Sequence, residues 1–196
     1  MLIDLFPVRI YKHSIDIQDT HRKMMREYLT GVFKYINPSN HILEKGGKST
    51  HEVDRELHLN PIFKQLTDFV DLHCKHYFNS AGFSHTKPKI VSMWANLHVD
   101  GDETLSHTHS THILAGCYYL DFPNNAGNLV FKSPNEYTQH YYPYSEEGKI
   151  KDLKYTVDCA EGDLVLFPAH LKHYTEKNNS GQNRISINFN IDHEAN

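Results

Sequence analysis

The sequence predicts a single domain of mixed helix and strand that is mainly β, with two helices near its beginning. Its length, 196 residues, lies in the range of one ordinary domain. Helical periodicity is confined to residues 16–79, whereas short β-branched and aromatic segments alternate with Gly, Asn, Asp and Pro after residue 88. Regularly spaced short strands are typical of a β-sandwich or barrel. We therefore expect one domain over 1–196, in which 1–88 support a β core over 89–196.

The first half is predicted to contain one strand and two helices. Residues 3–10 roughly alternate between apolar and polar side chains, which indicates a strand. Apolar side chains recur at helical spacing over residues 16–36, where a following Asn-Pro pair ends the pattern. A second helix begins with a proline in its first turn and is predicted over residues 61–79, closed by Gly82.

Eight strands are predicted in the second half of the chain. They are bounded by turn residues and lie at residues 90–99, 105–109, 113–122, 128–132, 154–159, 164–167, 172–177 and 184–191. Residues 133–153 interrupt them with a polar, tyrosine-rich stretch that is longer than a hairpin turn requires. We interpret this insert as a candidate lid over a functional site.

Charge and composition limit the class of partner. The formal net charge is −4, with +3 in the first 98 residues and −7 in the remainder. Because phosphate backbones are bound by clustered cations, the acidic second half argues against a nucleic-acid partner. No membrane span or secretory signal is visible, so no membrane partner is expected. Three cysteines without close spacing are typical of a reducing compartment, and we expect a cytoplasmic protein.

Three histidines form the pattern that carries chemistry. His107 and His109 are separated by one residue of a predicted strand, so both imidazoles face one side and can reach one cation. The pair alone is a weak signal, because a chain with 16 histidines contains about one His-x-His pair by chance. Context strengthens it, since His173 follows a later apolar strand and Arg184 opens the last strand.

Six short motifs extend this pattern across nearly the whole chain: Leu5-Phe6-Pro7, Gly46-Gly47-Lys48-Ser49, Trp94-Ala95-Asn96, His107-Thr108-His109, Gly116-Cys117-Tyr118-Tyr119-Leu120 and Arg184-Ile185-Ser186-Ile187-Asn188-Phe189-Asn190. Through them the sequence resembles the oxygenases that use Fe(II) and 2-oxoglutarate. It is similar to their His-x-His branch found in marine bacteria and phages. The resemblance implies a double-stranded β-helix, a jelly-roll or cupin-like fold with supporting N-terminal helices.

The resemblance also implies a metal site. Fe(II) would be bound by His107, His109 and His173, which are then also the catalytic residues. His109 stands where the acid of the usual two-histidine, one-carboxylate triad lies, so the site would be one unit more positive. Three histidines need no rearrangement and are the favoured set. The alternatives are that a carboxylate such as Asp102 or Glu103 replaces His109, or that the activity is altered.

Co-substrate binding follows from the same resemblance. Arg184 with Ser186 would hold the far carboxylate of 2-oxoglutarate, since a planar guanidinium can bind a carboxylate through two parallel hydrogen bonds. Further implied contacts are Asn96, His98, Tyr118 and Tyr119. The two tyrosines are adjacent and face opposite ways, so one of them is expected in the core.

The resemblance implies an oxidoreductase, a dioxygenase that consumes O₂ and 2-oxoglutarate and releases succinate and CO₂. We expect hydroxylation of a peptidyl side chain or a small metabolite, while the motifs leave the substrate and the oligomeric state open. One alternative is a three-histidine, cupin-like dioxygenase that does not use 2-oxoglutarate. Another is a non-catalytic β-barrel whose histidines hold a metal. The role of Arg184 distinguishes these hypotheses, because only the 2-oxoglutarate-dependent oxygenase needs a cation to bind an anionic co-substrate.

Overall fold

The protein, seen in a computed structural model, is described over residues 7–39, 46–82, 87–109, 111–134, 150–151 and 153–194. Its two helices are α1 (Asp19–Phe33) and α2 (Lys64–Ala81), and three short 3₁₀ turns lie between them. The strands within these residues are β1 (Tyr11–Ser14), β2 (Lys48–Ser49), β3 (Pro88–His98), β4 (Leu114–Asp121), β5 (Leu129–Lys132), β6 (Ile150–Lys151), β7 (Lys154–Val157), β8 (Asp163–Pro168), β9 (His173–Thr175) and β10 (Arg184–His193).

The strands form two antiparallel sheets. The larger sheet has six strands in the order β1-β8-β4-β10-β3-β2, and the smaller has four in the order β6-β7-β5-β9. β10 lies inside the larger sheet, where it pairs with β3 on one side and with β4 on the other. The fold is therefore mainly β, with two helices, as the sequence predicts.

Two hydrophobic cores lie on opposite faces of the larger sheet. One face packs against the helices, through residues such as Leu66 and Val70 of α2 and Phe189 of β10. The other face packs against the smaller sheet, through residues such as Val165 and Phe131. Because successive side chains of a strand point to opposite faces, β4 and β8 supply residues to both cores.

The helices form where the apolar periodicity predicts them. In α2, Leu66, Val70, Cys74 and Phe78 recur every four residues and are all buried, so they form one stripe that faces the larger sheet. Gly82 ends the helix at φ 90°, a left-handed conformation that a residue without a side chain adopts at little cost. No helix in the described ranges is long and apolar enough to cross a bilayer.

Two predicted strands differ from the structure. The predicted opening strand, at residues 3–10, is wrong over the part that the structure describes. Residues 7–10 are not in a strand, and β1 begins at Tyr11. β1 pairs with β8 from Tyr11, opposite Leu166, and β8 ends at Pro168, which has no N–H to continue the ladder. Residues 1–6, and with them Leu5 and Phe6 of the first motif, lie outside the described residues.

The predicted strand at residues 105–109 is also wrong. This segment is extended, but only His107 forms a bridge, opposite His173. A separate backbone hydrogen bond holds the end of the segment, where His109 N–H donates to the Ala169 carbonyl at 2.8 Å. β9 has three residues and is too short to pair with the whole segment. Most of the predicted insert, at residues 135–149 and 152, lies outside the described residues.

Candidate metal centre

The three predicted histidines are brought together by backbone hydrogen bonds. His107 and His173 each donate an N–H to the carbonyl of the other, both at 3.0 Å. This reciprocal pair fixes the extended segment against β9, and the bond from His109 N–H to Ala169 fixes it a second time. The side chains consequently converge, although they come from two parts of the chain.

The imidazole nitrogens lie close enough to share one cation. The Nε2 atoms of His107 and His109 are 3.0 Å apart, and one ligand atom from each of the three residues lies within 4.8 Å of the others. The ring centroids of His107 and His173 are 4.3 Å apart. Within the part of the chain that the structure describes, this is the one cluster of at least three His, Cys, Asp or Glu residues with such geometry.

Hydrogen bonds set which nitrogen of each ring is available. His107 Nδ1 lies 2.7 Å from the Leu105 carbonyl oxygen, and His173 Nδ1 lies 2.8 Å from that of Leu171. A carbonyl oxygen only accepts, so both Nδ1 atoms carry the proton and both Nε2 atoms keep a lone pair. His109 Nδ1 lies 2.6 Å from Asn190 Oδ1, which gives the same result. This is the arrangement that metal-binding histidines adopt.

Burial keeps the imidazoles neutral. Loss of contact with water, helped by the neighbouring histidines, lowers the pKa of His173 to about 3 and that of His109 to about 4. An uncharged imidazole is the form that binds a metal. The residues present therefore fit a metal that accepts nitrogen ligands, as Fe(II) does.

Neither carboxylate that could replace His109 belongs to the cluster. Asp102 is fully buried, and its carboxylate contributes to the electrostatic environment of Arg184. Glu103 lies 3.4 Å from the Lys177 ammonium group. The described residues thus offer three neutral nitrogen donors, and such a set leaves the charge of a bound Fe(II) undiminished.

The predicted co-substrate residues lie opposite one another on neighbouring strands. Arg184 of β10 pairs with His98 of β3, and Ser186 pairs with Asn96. All four are buried and face the smaller sheet, on the same side as the histidine cluster. The Asn96 side-chain oxygen accepts a hydrogen bond of 2.7 Å from Ser49, which belongs to the predicted Gly-Gly-Lys-Ser loop.

The Arg184 guanidinium is fully buried and only partly satisfied. Nη1 donates to the carbonyls of Ala126 and Gly127 at 2.7 and 2.6 Å, and Nη2 donates to the Thr175 hydroxyl at 3.0 Å. Nε has no partner among the described residues, and none of their carboxylates lies within ion-pair distance. Since buried charges are normally paired, this cation fits an anionic ligand.

Two further buried polar atoms face the cavity between the sheets. Trp94 Nε1 and His98 Nδ1 have no hydrogen-bond partner among the described residues, and both residues line this cavity. His98 uses its Nε2 on the Thr104 hydroxyl, at 2.7 Å. A native protein rarely buries polar atoms unpaired, so the cavity fits a molecule with several hydrogen-bonding groups. A dicarboxylic 2-oxo acid is such a molecule.

The two predicted tyrosines separate as adjacent strand residues should. Tyr119 lines the cavity with the histidines, whereas Tyr118 belongs to the core between the larger sheet and the helices. Sequence reasoning missed Trp94, Asn188 and Asn190 as residues of the site. The alternation of polar residues along β10, at every second position from Arg184, is the signal that could have found the two asparagines.

Comparison with known proteins identifies the class. Residues 92–190 match the sequence profile of a family described as "Putative 2OG-Fe(II) oxygenase". This match covers half of the chain, and it includes the three histidines and Arg184. The protein therefore belongs to the 2-oxoglutarate/Fe(II) oxygenase family, and Fe(II) and 2-oxoglutarate are its cofactors. None of the curated proteins matches the sequence.

Solved structures of such enzymes share the fold. A prolyl-4-hydroxylase from Pseudomonas putida is 14% identical, with a TM-score of 0.61 over 96% of this chain and 94% of that chain. HygX from Streptomyces hygroscopicus, with nickel, 2-oxoglutarate and hygromycin B bound, is 10% identical, with a TM-score of 0.62 over 94% and 83%. The viral collagen prolyl hydroxylase from Paramecium Bursaria Chlorella virus-1 is 12% identical, with a TM-score of 0.56 over 93% and 94%.

Proposed function

We propose that the protein is an oxygenase that binds Fe(II) through His107, His109 and His173 and couples oxidation of 2-oxoglutarate to hydroxylation of a second substrate. Succinate and CO₂ are the products from the co-substrate. The observation that carries this proposal is the pairing of two features in one cavity. Three imidazole nitrogens converge at one place, and a buried guanidinium with no described carboxylate within ion-pair distance lies beside the same cavity.

The fold assigned to this function is the double-stranded β-helix. Two antiparallel sheets face each other, and the candidate site lies between them. The shared fold of the prolyl hydroxylases and of HygX supports this assignment. Of the three histidines only His173 lies in a strand, and backbone hydrogen bonds to His173 and Ala169 fix the segment that carries His107 and His109.

Each residue of the site has a distinct proposed task. The histidines hold the metal on one side and leave its remaining positions open, as the chemistry requires. Arg184 binds the far carboxylate of 2-oxoglutarate through Nε, which has no partner among the described residues, and through the N–H of Nη2 that Thr175 does not use. The Ser186 hydroxyl assists it. Asn96, His98 and Tyr119 line the co-substrate pocket, whereas Tyr118 supports the sheet from the opposite face.

Bound Fe(II), 2-oxoglutarate and O₂ supply the oxidising chemistry. The chain contributes orientation and shielding. Its packed apolar residues around the cavity, such as Phe167 and Leu129, exclude water from the reacting atoms. His173 packs edge to face against Phe167, with ring centroids 4.6 Å apart, which limits its rotation. A fixed imidazole keeps the geometry of the site constant.

The second substrate is either a peptidyl side chain or a small metabolite. Prolyl hydroxylases among the structural relatives support the first, and HygX with its bound hygromycin B supports the second. An epimerase and a carbocyclase from nogalamycin biosynthesis share the fold as well. Hydroxylation is proposed because two of these structural relatives are prolyl hydroxylases, and substrate screening should include both classes.

An anaerobic titration tests the proposal. Wild-type protein loaded with Fe(II) should develop a visible metal-to-ligand charge-transfer band when 2-oxoglutarate is added. His107→Ala should lose it, because the variant removes one of three metal ligands. His112→Ala is the matched control, since His112 lies close in sequence but pairs with Asp192 at 3.0 Å. Absence of the band in wild type, or its persistence in His107→Ala, contradicts the proposal.

A further inference from the structure

Asn190 makes an unusual contact with one of the three histidines. It lies on β10 opposite Ser92 of β3 and is buried. Its Oδ1 accepts the hydrogen bond of 2.6 Å from His109 Nδ1, and its Nδ2 donates to Ser92 Oγ at 2.9 Å. A chain of hydrogen bonds thus runs from Ser92 through the amide to the imidazole.

The hydrogen bond at His109 Nδ1 differs in kind from those at the Nδ1 atoms of the other two histidines. His107 and His173 each use the backbone carbonyl two residues earlier, at Leu105 and Leu171. Those bonds are local and follow from the extended backbone. His109 instead depends on a side chain 81 residues further along the chain. It is therefore the one member of the cluster whose proton position a distant residue sets, and that residue can be replaced without altering the backbone.

The direction of the amide decides whether His109 can bind a metal. With Oδ1 toward the ring, Nδ1 must carry the proton and Nε2 keeps its lone pair. With the amide reversed, Nδ2 would donate to Nδ1, and the proton would move to Nε2 and block it. In the structure Nδ2 donates to the Ser92 hydroxyl oxygen, so reversing the amide would require that hydroxyl to turn and donate instead. Trp94 packs near the same ring, with centroids 5.7 Å apart.

We propose that Asn190, hydrogen-bonded to Ser92, is a positioning residue that holds His109 as the Nδ1–H tautomer and sets its strength as a metal ligand. This inference rests on the proposed function, since it assumes a metal at the three histidines. His109 takes the place that an anionic ligand has in the usual triad. A neutral amide, unlike a carboxylate, adds no charge behind it, so the site keeps its full positive charge.

Three variants test the role in the full chain. Asn190→Leu removes both hydrogen bonds at similar volume and should weaken Fe(II) or Zn²⁺ binding about 10- to 100-fold. Asn190→Asp keeps the acceptor and adds a charge, which makes His109 a stronger donor; it should retain metal binding and move the charge-transfer band to longer wavelength. Ser92→Ala removes only the hydrogen bond at Nδ2 of the amide and should weaken metal binding less than Asn190→Leu does.

The tautomer is measured directly in metal-free protein by long-range ¹H–¹⁵N spectra of the imidazoles. Wild type should show His109 protonated at Nδ1, and Asn190→Leu should show a mixture. His112→Ala is the control, because it removes a nearby histidine that also bonds to β10. It should leave metal affinity and the His109 signals unchanged.

The outcomes separate this inference from the proposed function. If wild type fails to bind Fe(II), the proposed function fails. If wild type binds Fe(II) but Asn190→Leu keeps its affinity and its His109 tautomer, the positioning role is overturned and the function stands. Should Asn190→Leu not fold, Asn190→Asp decides alone: an unshifted band overturns the inference, and a shifted band at preserved metal affinity supports it.

Discussion

The odd and even positions of β10 lie in two different environments. Ile185, Ile187, Phe189 and Ile191 are buried in the core against the helices. The alternate residues Arg184, Ser186, Asn188 and Asn190 are polar and face the smaller sheet, where two of them line the cavity. β10 therefore contributes to stability through one face and to the candidate site through the other. Substitutions on the two faces should therefore affect different measurements.

The largest effect is expected on the apolar face. Phe189→Ala removes a fully buried ring and should lower the free energy of unfolding by about 3–5 kcal/mol, since the cavity it leaves cannot collapse completely. Urea unfolding of the metal-free protein measures it. At low temperature, where the variant is folded, its Fe(II) affinity should match wild type. A folded variant that does not bind Fe(II) would show that the two faces are not independent.

On the polar face, Arg184→Leu should weaken 2-oxoglutarate binding about 100-fold, because two hydrogen bonds from a charged donor are lost. Fe(II) affinity should remain as in wild type. The 2-oxoglutarate affinity of Arg184→Lys should lie between those of wild type and Arg184→Leu, since an ammonium keeps the charge but cannot form the paired hydrogen bonds. Titration of the charge-transfer band measures both affinities. Equal weakening for metal and co-substrate would indicate collapse of the cavity rather than loss of an anion site.

The polar face of β3 should make stability depend on pH. Burial lowers the pKa of His98 well below its usual 6.5, and the positive charge of Arg184 adds to this. The folded protein therefore binds fewer protons than the unfolded chain below about pH 6.5, so stability falls as the pH falls. His98→Asn should remove up to about 1.4 kcal/mol per pH unit from that slope in metal-free protein. Identical slopes for the two proteins would refute this role.

The smallest expected effect is a difference in 2-oxoglutarate affinity between substitutions at two adjacent residues of β4. Tyr119→Phe should weaken 2-oxoglutarate binding a few-fold, about 1 kcal/mol for a lost polar contact in the cavity. Tyr118→Phe should leave this affinity unchanged, because Tyr118 lies on the helix side and its buried hydroxyl has no partner among the described residues. Calorimetric titration compares them. Equal losses in both variants would mean that the cavity contact is not specific to Tyr119.

The sequence predicts most of the β core because strand alternation and turn residues are local signals. The strands predicted near β3, β4, β8 and β10 are confirmed within a few residues. The convergence of His107 and His109 is also predictable, since residues two apart share a side of any extended segment. The order of motifs then indicates His173, which no local periodicity would select.

The pairing of strands that lie far apart in the chain could not be predicted from the sequence. The start of β1 depends on where β8 ends, at Pro168, and the interruption at residues 105–109 depends on the short length of β9. Which of the adjacent tyrosines faces the cavity depends on which face of β4 the helices cover. The bond between Asn190 and His109 likewise joins residues far apart in sequence. All four features follow from register and layer order.

The loop that carries Ala126 and Gly127 lies against β9 at one margin of the cavity, and its carbonyls hold Nη1 of Arg184. Gly127 has a φ of 84°, and a Cβ added there would lie 2.3 Å from the Glu176 carbonyl oxygen. The chain can come this near only because position 127 has no side chain. The alignment of the guanidinium is thereby tied to a connecting segment outside the proposed metal cluster. The conformation of that turn is consequently linked to the proposed co-substrate site through Arg184.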